Sequence, residues 1–183
     1  MAATETKTVY FEKGGPENTE ATLALAKARA EQLGIRDIVV ASTSGDTGAR
    51  VAALFAGFNV IVVNGIYPDQ LQDANRSAIE AAGAHLVFAG HSFGMLGRAV
   101  KKKLGAVQVD EIIAHVLKLF SEGVKVAAEV SCMAVDAACV AAGTEVMAIG
   151  GSGRGADSAV VIRATHTQEF FSTRMVEIVC KPR

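Results

Sequence analysis

The chain of 183 residues has no tryptophan, only two tyrosines, three prolines and three cysteines, and its 18 lysines and arginines nearly cancel 19 aspartates and glutamates. A formal net charge of -1 argues against partners recognised by bulk electrostatics, so neither nucleic acid nor an acidic membrane is expected. A small anion, which needs only local donors, stays open. Cys132, Cys139 and Cys180 are odd in number and lack CxxC spacing. They fit neither a disulfide framework nor a zinc site, and a reduced cytoplasmic location is expected. No apolar run is long enough to span a bilayer, and Met1 to Thr8 is too polar for a signal peptide. His85, His91, His115 and His166 form no HExxH pair, so no metal is expected. A Walker A loop and a GxSxG elbow are missing as well.

What is present is an alternation of apolar runs and helical patterns. The length suggests one domain over 1–183, and half of the residues are apolar, enough for a core without staples. The pattern predicts strands at Thr8–Glu12, Ile38–Ala41, Asn59–Val63 and His85–Ala89, with helices from Asn18 or Thr19 to Leu33, Asp46 to Phe58, and Asp69 to Ala82. Because these strands are continuously apolar, they read as parallel strands covered on both faces.

The second half opens on a glycine-rich segment at His91–Gly105 that contains Lys101–Lys103, and then predicts an amphipathic helix over Asp110–Ser121. In that helix Ile112, Val116 and Phe120 recur at four-residue spacing, with Ile113 and Leu117 beside them. A mostly apolar helix at Val124–Ala142 and strands at Glu145–Ile149, Ser158–Ala164 and Met175–Cys180 follow, and Glu177 marks the last strand as a sheet edge. The expected fold is a three-layer α/β/α domain with a mainly parallel sheet and an antiparallel edge.

Ligands of such sheets bind at the carboxyl ends of the strands. The densest signal there is Ser42-Thr43-Ser44-Gly45-Asp46-Thr47. Its hydroxyls, its glycine and the free N–H groups of a helix start suit a phosphate, and the pattern resembles the FMN phosphate loop of flavodoxins. The plainer reading is a capped helix, though one cap needs one such residue. Asp46 repels a phosphate unless its carboxylate points away.

Gly150-Gly151-Ser152-Gly153-Arg154-Gly155, with Asp157 beyond it, is not a dinucleotide fingerprint, because a strand rather than a helix follows. It reads as a loop between strands whose Arg154 offers a cation to a phosphate or carboxylate. The segment Gly90–Gly97, with His91, Ser92, Phe93 and Met95, reads as a flap over an aromatic ring or as a loop tucked into the core. Asn18 and Gly65 fall near the same strand ends. Lys125, Glu129 and Asp136 share one helix face, read here as a solvated stripe; facing a cleft instead, it would make Glu129 its acid. Lys101–Lys103 reads as a solvated face.

Several segments together resemble the stand-alone proteins related to the C-terminal α/β domain of pyruvate kinase: Tyr10–Lys13, Glu17–Glu20, Ile38–Gly45, Gly123–Val126, Ile149–Asp157, His166 with Phe170 and Phe171, and Glu177–Pro182. In pyruvate kinase this domain carries an allosteric sugar-phosphate site with a hydroxyl-rich loop like Ser42–Gly45, and the stand-alone family is associated with FMN. The catalytic barrel has no counterpart in these residues, so kinase activity is not expected. The resemblance implies FMN or another small phosphorylated ligand held by Ser42, Thr43, Ser44, Gly45 and Thr47. The flavin ring would then lie near the glycine-rich loop and His91, stacked on Phe93 or Met95 since only Tyr10 and Tyr67 are available. A non-catalytic regulatory domain for a phosphorylated metabolite is the alternative. A third reading is a homo-oligomer assembled through the strand Met175–Cys180.

Overall fold

Ile38, Val39 and Val40 are all buried although successive side chains point to opposite faces, so their strand must be covered on both sides. The computed structural model, which describes residues 3–66 and 68–183, shows how. Its elements are β1 (Val9–Phe11), α1 (Thr19–Leu33), β2 (Asp37–Ala41), α2 (Asp46–Leu54), β3 (Asn59–Val63), α3 (Asp73–Ala81), β4 (His85–Val87), α4 (Met95–Leu104), α5 (Val109–Lys118), α6 (Glu122–Asp136), β5 (Glu145–Gly150), β6 (Ser158–Arg163) and β7 (Arg174–Pro182). Among the described residues, seven strands form one sheet in the order β1-β7-β6-β5-β2-β3-β4. All pairings are parallel except those of β6 with β5 and β7, so the antiparallel part is gathered at one side.

On one face Ile38, Val40, Val60, Val62 and Ile149 meet Leu23 and Ala26 of α1, Val51 and Phe55 of the α2 turn, and Ile79 of α3. On the other, Val39, Ile61, Ala148 and Val160 meet α6 and Ala114 of α5. Helix α1 stops where the sequence places its stop, at Gly34 in the left-handed region with φ 69°.

Several expectations are corrected. Within the glycine-rich segment His91–Gly105, and overlapping the Gly90–Gly97 stretch read as a loop or flap, Met95–Leu104 is helical. Its glycines hid it, and Gly97 is buried there because Asp110 of the next helix packs against it. Helix α2 ends at Leu54, where Phe55 leaves helical geometry and meets Phe58 edge-on at 5.5 Å. The helix expected from Asp69 starts only at Asp73, because Gln72 is extended and its amide is tied to the carbonyl of Ser44. Helix α6 ends at Asp136 rather than Ala142. The strand expected at the sheet edge is an edge over only part of its length, since β1 pairs with Cys180–Pro182. Asn18 does not cap α1; its amide donates to the carbonyls of Lys13 and Gly15.

Candidate functional site

Val40 pairs with Ile149, so β2 and β5 end side by side. From there the chain leaves β2 towards α2 on one face, whereas β5 is entered from α6 on the other. Such a divergence opens a crevice at the carboxyl ends of parallel strands. Here it is a cleft of about 780 Å³, walled by the Ser42–Thr47 loop on one side and Gly151–Gly155 on the other.

The first wall is held open by its own neighbours. Asn64, 5 % exposed, donates its amide to the carbonyls of Ser42 and Thr43. Asn75 and the Gln72 amide hold the carbonyl of Ser44. The loop carbonyls are therefore turned away and occupied. The amides of Thr43, Ser44, Gly45, Asp46 and Thr47 find no protein acceptor among the described residues, and neither do the hydroxyls of Thr43, Ser44 and Thr47. This concentrates positive partial charge at the start of α2. Gly45 has φ 86°, and a Cβ there would stand 2.7 Å from that of Asn75, so the loop admits no side chain at this point. Ser42 has a different job: its hydroxyl accepts the Gly48 N–H at 3.0 Å, as a helix cap does. The carboxylate of Asp46 pairs with Arg50 at 3.3 Å.

The opposite wall is the broad β5–β6 turn. Asp157, fully buried, accepts the N–H groups of Gly15 and Ser152, both at 3.0 Å, and the Ser158 hydroxyl. It fastens the turn to the chain after β1 rather than lining the cleft. Arg154 is exposed on the rim and makes no ion pair among the described residues. Gly150 lets α6 sit directly on the end of β5, because a Cβ there would meet the Gly123 carbonyl.

That close approach brings the α6 stripe into the cleft, which corrects its reading as a solvated face. Lys125 is 7 % exposed and Glu129 2 %. Lys125 Nζ lies 2.6 Å from Glu129 Oε2, His91 Nδ1 lies 3.5 Å from the same oxygen, and Oε1 accepts the Phe93 N–H at 3.1 Å. Burial pushes the Glu129 carboxyl up, but the His91 hydrogen bond and the Lys125 ammonium outweigh it and bring it down to about 2. Lys125 uses one donor on Glu129, and its others have no partner among the described residues. Val63, Val126, Val130 and Met133 supply an apolar floor.

Of the residues singled out from the sequence, the cleft is lined by Ser42, Thr43, Ser44, Asp46, Thr47, Gly65, His91, Gly151, Gly153, Arg154 and Gly155, as well as Lys125 and Glu129. Gly45, Gly150 and Asp157 shape its walls from behind. Ser92 is turned to Thr167, its hydroxyl 2.7 Å from that of the threonine. Asn18 serves the turn before α1. Asp136 lies at the far end of α6 with His166 and Thr167. Phe93 is 4 % exposed and packs edge-on against Phe170, so it is not a stacking surface, and Met95 packs by Gly90. Tyr10 lies on the edge strand β1 beside Lys181 and does not line the cleft, and Tyr67 is outside the described residues. Lys125, Glu129 and Asn64 carry much of the site. The first two were visible as a polar stripe on an apolar helix, whereas an asparagine after β3 gave no signal of its own. Burial holds the Cys132 and Cys180 thiols up at about 11, which argues against thiolate chemistry nearby.

Residues 20–163, most of the chain, match the family model described as the pyruvate kinase alpha/beta domain.

Proposed function

The chain belongs to the pyruvate kinase alpha/beta domain family, and from that premise we propose that the cleft binds a small phosphorylated ligand, FMN, as a flavoprotein site. The observation that carries this reading is the row of five successive amides, Thr43 to Thr47, without a partner among the described residues, whose carbonyl neighbours are turned back onto Asn64 and Asn75. A phosphate at the start of α2 would gain those amides and the hydroxyls of Thr43, Ser44 and Thr47. Arg154 on the rim can close on the same phosphate or on the ribityl chain. Asn64 Oδ1 is a buried acceptor without a partner among the described residues, a cost that a ligand hydroxyl would relieve. The floor of Val63, Val126, Val130 and Met133 suits a flat apolar ring, and the volume falls within the range of about 300–1,000 Å³ usual for cofactor sites.

FMN supplies its own redox chemistry when bound. The chain's residues would orient it and set the charge around it. Lys125, through its unused donors, can hold an electronegative edge of the ring, while Glu129 and His91 keep that ammonium in place. The absence of a Phe, Tyr or Trp among the lining residues described favours a second reading. In it, the same donors hold a non-aromatic phosphorylated metabolite and the domain is regulatory, without catalysis.

The visible spectrum of gently purified protein and titrations with FMN, riboflavin and a sugar bisphosphate test both. FMN binding well ahead of riboflavin supports the flavin reading. Equal affinity for the two removes the phosphate loop from it. Tight sugar bisphosphate binding without flavin affinity establishes the regulatory alternative.

A further inference from the structure

The Lys125–Glu129 pair is one-sided. Glu129 is largely spent on the protein: Oε2 meets Lys125 Nζ at 2.6 Å and His91 Nδ1 at 3.5 Å, and Oε1 accepts the Phe93 N–H at 3.1 Å. The Lys125 ammonium has three donors, and one of them goes to Glu129. The others have no partner among the described residues, although Lys125 lines the cleft and is only 7 % exposed. Buried donors are ordinarily satisfied, so what the pair offers a ligand is donors. The remaining acids of the lining do not oppose it, because each has its own cation: Asp46 pairs with Arg50 at 3.3 Å and Glu122 with Lys118 at 3.0 Å. Arg154 adds a further cation at the rim.

An ammonium with open donors in a buried site favours an oxyanion over a neutral hydroxyl or a hydrocarbon. Lys125 stands at the start of α6, on the face of the sheet opposite α2 and its phosphate loop. We propose that Lys125 receives a second oxyanion of the same ligand, so that the cleft takes a molecule with a phosphate at one end and an anionic oxygen at the other. The free acceptor Asn64 Oδ1 calls for a hydroxyl on that molecule as well. Two sources supply the second oxyanion. One is the carboxylate of a phosphorylated sugar acid. The other is the pyrimidine oxygen of a flavin that has taken up two electrons and one proton and so keeps one negative charge. The proposal rests on the phosphate lying at Ser42–Thr47, whichever body carries it. Glu129 and His91 are positioning residues for the ammonium.

Anaerobic calorimetric titration with two matched pairs of probes tests it. The pairs are 6-phosphogluconate against glucitol 6-phosphate, and dithionite-reduced against oxidised FMN; only the first member of each carries the second charge. The parent should bind that member about tenfold or more tighter in at least one pair, the worth of a hydrogen bond to a charged group. Preference in the first pair names the carboxylate, in the second the flavin. Lys125→Met with Glu129→Gln removes both charges together, so no buried ion is orphaned and the Phe93 N–H keeps an acceptor. It should bring the ratio to about one and leave the other member of the pair binding as before. Arg154→Ala should keep the ratio, and Ser44→Ala with Thr47→Ala should weaken both members alike. Where the double charge variant does not fold, the parent ratios and Arg154→Ala decide. A parent ratio near one in both pairs overturns the proposal and leaves the phosphate site standing, with Lys125–Glu129 a structural pair only. A ratio that survives the charge variant, or that Arg154→Ala abolishes, overturns it too. Equal weakening of both members by the charge variant puts Lys125 on the phosphate itself and does the same. A Ser44–Thr47 variant that binds every probe like the parent, or a parent that binds none, removes the phosphate reading and the proposal with it.

Discussion

Hydroxyls that are alike in sequence have unlike duties in the Ser42–Thr47 loop. Ser42 caps the Gly48 N–H, so Ser42→Ala should cost the unliganded protein about 0.5–2 kcal/mol. Ser44 and Thr47 spend their hydroxyls on no described residue. Ser44→Ala should therefore leave urea stability within about 0.5 kcal/mol, Thr47→Ala should cost more because its side chain is buried, and both should weaken FMN several-fold, as loss of a donor to a charged group does. Urea melts beside equilibrium dialysis separate the two effects, and a Ser44 or Thr47 variant that binds FMN like the parent contradicts the phosphate assignment.

Glu129 gives a second contrast at this scale. Its carboxyl titrates near 2 when folded against an ordinary 4.5. A depressed acid contributes stability that is fully present above its unfolded value and is lost as pH falls through the folded one. The parent should accordingly lose stability between about pH 4.5 and pH 2 more steeply than Glu129→Gln, whose amide oxygen can still accept the Phe93 N–H. Lys125→Met should be worse than either at neutral pH, by about 3–5 kcal/mol, because it leaves a buried carboxylate short of its main counter-charge. Denaturant midpoints across that pH range decide both.

Among elements, the walls of the cleft are set by tethers between segments far apart in the chain. Asp157 joins the β5–β6 turn to Gly15, across 142 positions. Asp157→Ala strands the Gly15 and Ser152 amides, at roughly 1–3 kcal/mol for each buried group left without a partner, and leaves the Ser158 hydroxyl only Ser121 at 3.2 Å. The expected outcome is faster hydrogen exchange at Ser152–Gly155 and weaker ligand binding, with β2 and β3 as protected as before. Exchange unchanged in that turn would mean Asp157 is not its anchor.

At the scale of the molecule, the cleft exists because α2 and α6 lie on opposite faces of one sheet, so a ligand between their starts ties both layers to it. FMN at a hundred times its dissociation constant should stabilise the fold by about 2.7 kcal/mol, which for a chain of this size raises Tm by roughly 5–11 °C. Riboflavin should raise it far less, and Ser44→Ala with Thr47→Ala should narrow the gap between the two ligands. A thermal shift equal for both flavins would show that the phosphate adds nothing.

The α/β alternation, the buried parallel strands, the start and stop of α1 and the hydroxyl-rich loop after β2 were legible in the sequence, because each rests on local pattern: apolar runs, a terminal glycine, clustered donors before a helix. Helix α4 was hidden by its glycines, of which Gly97 lets Asp110 approach. The stripe of Lys125 and Glu129 had the periodicity of a surface, and only the contact of Gly150 with Gly123 turns it into the cleft. For α5 the spacing of Ile112, Val116 and Phe120 announced an amphipathic helix. Periodicity fixes which residues share a face but carries no information on which face the rest of the molecule will cover. Tertiary packing chose Ile113, Ala114 and Leu117 for the inside and left the more regular stripe exposed.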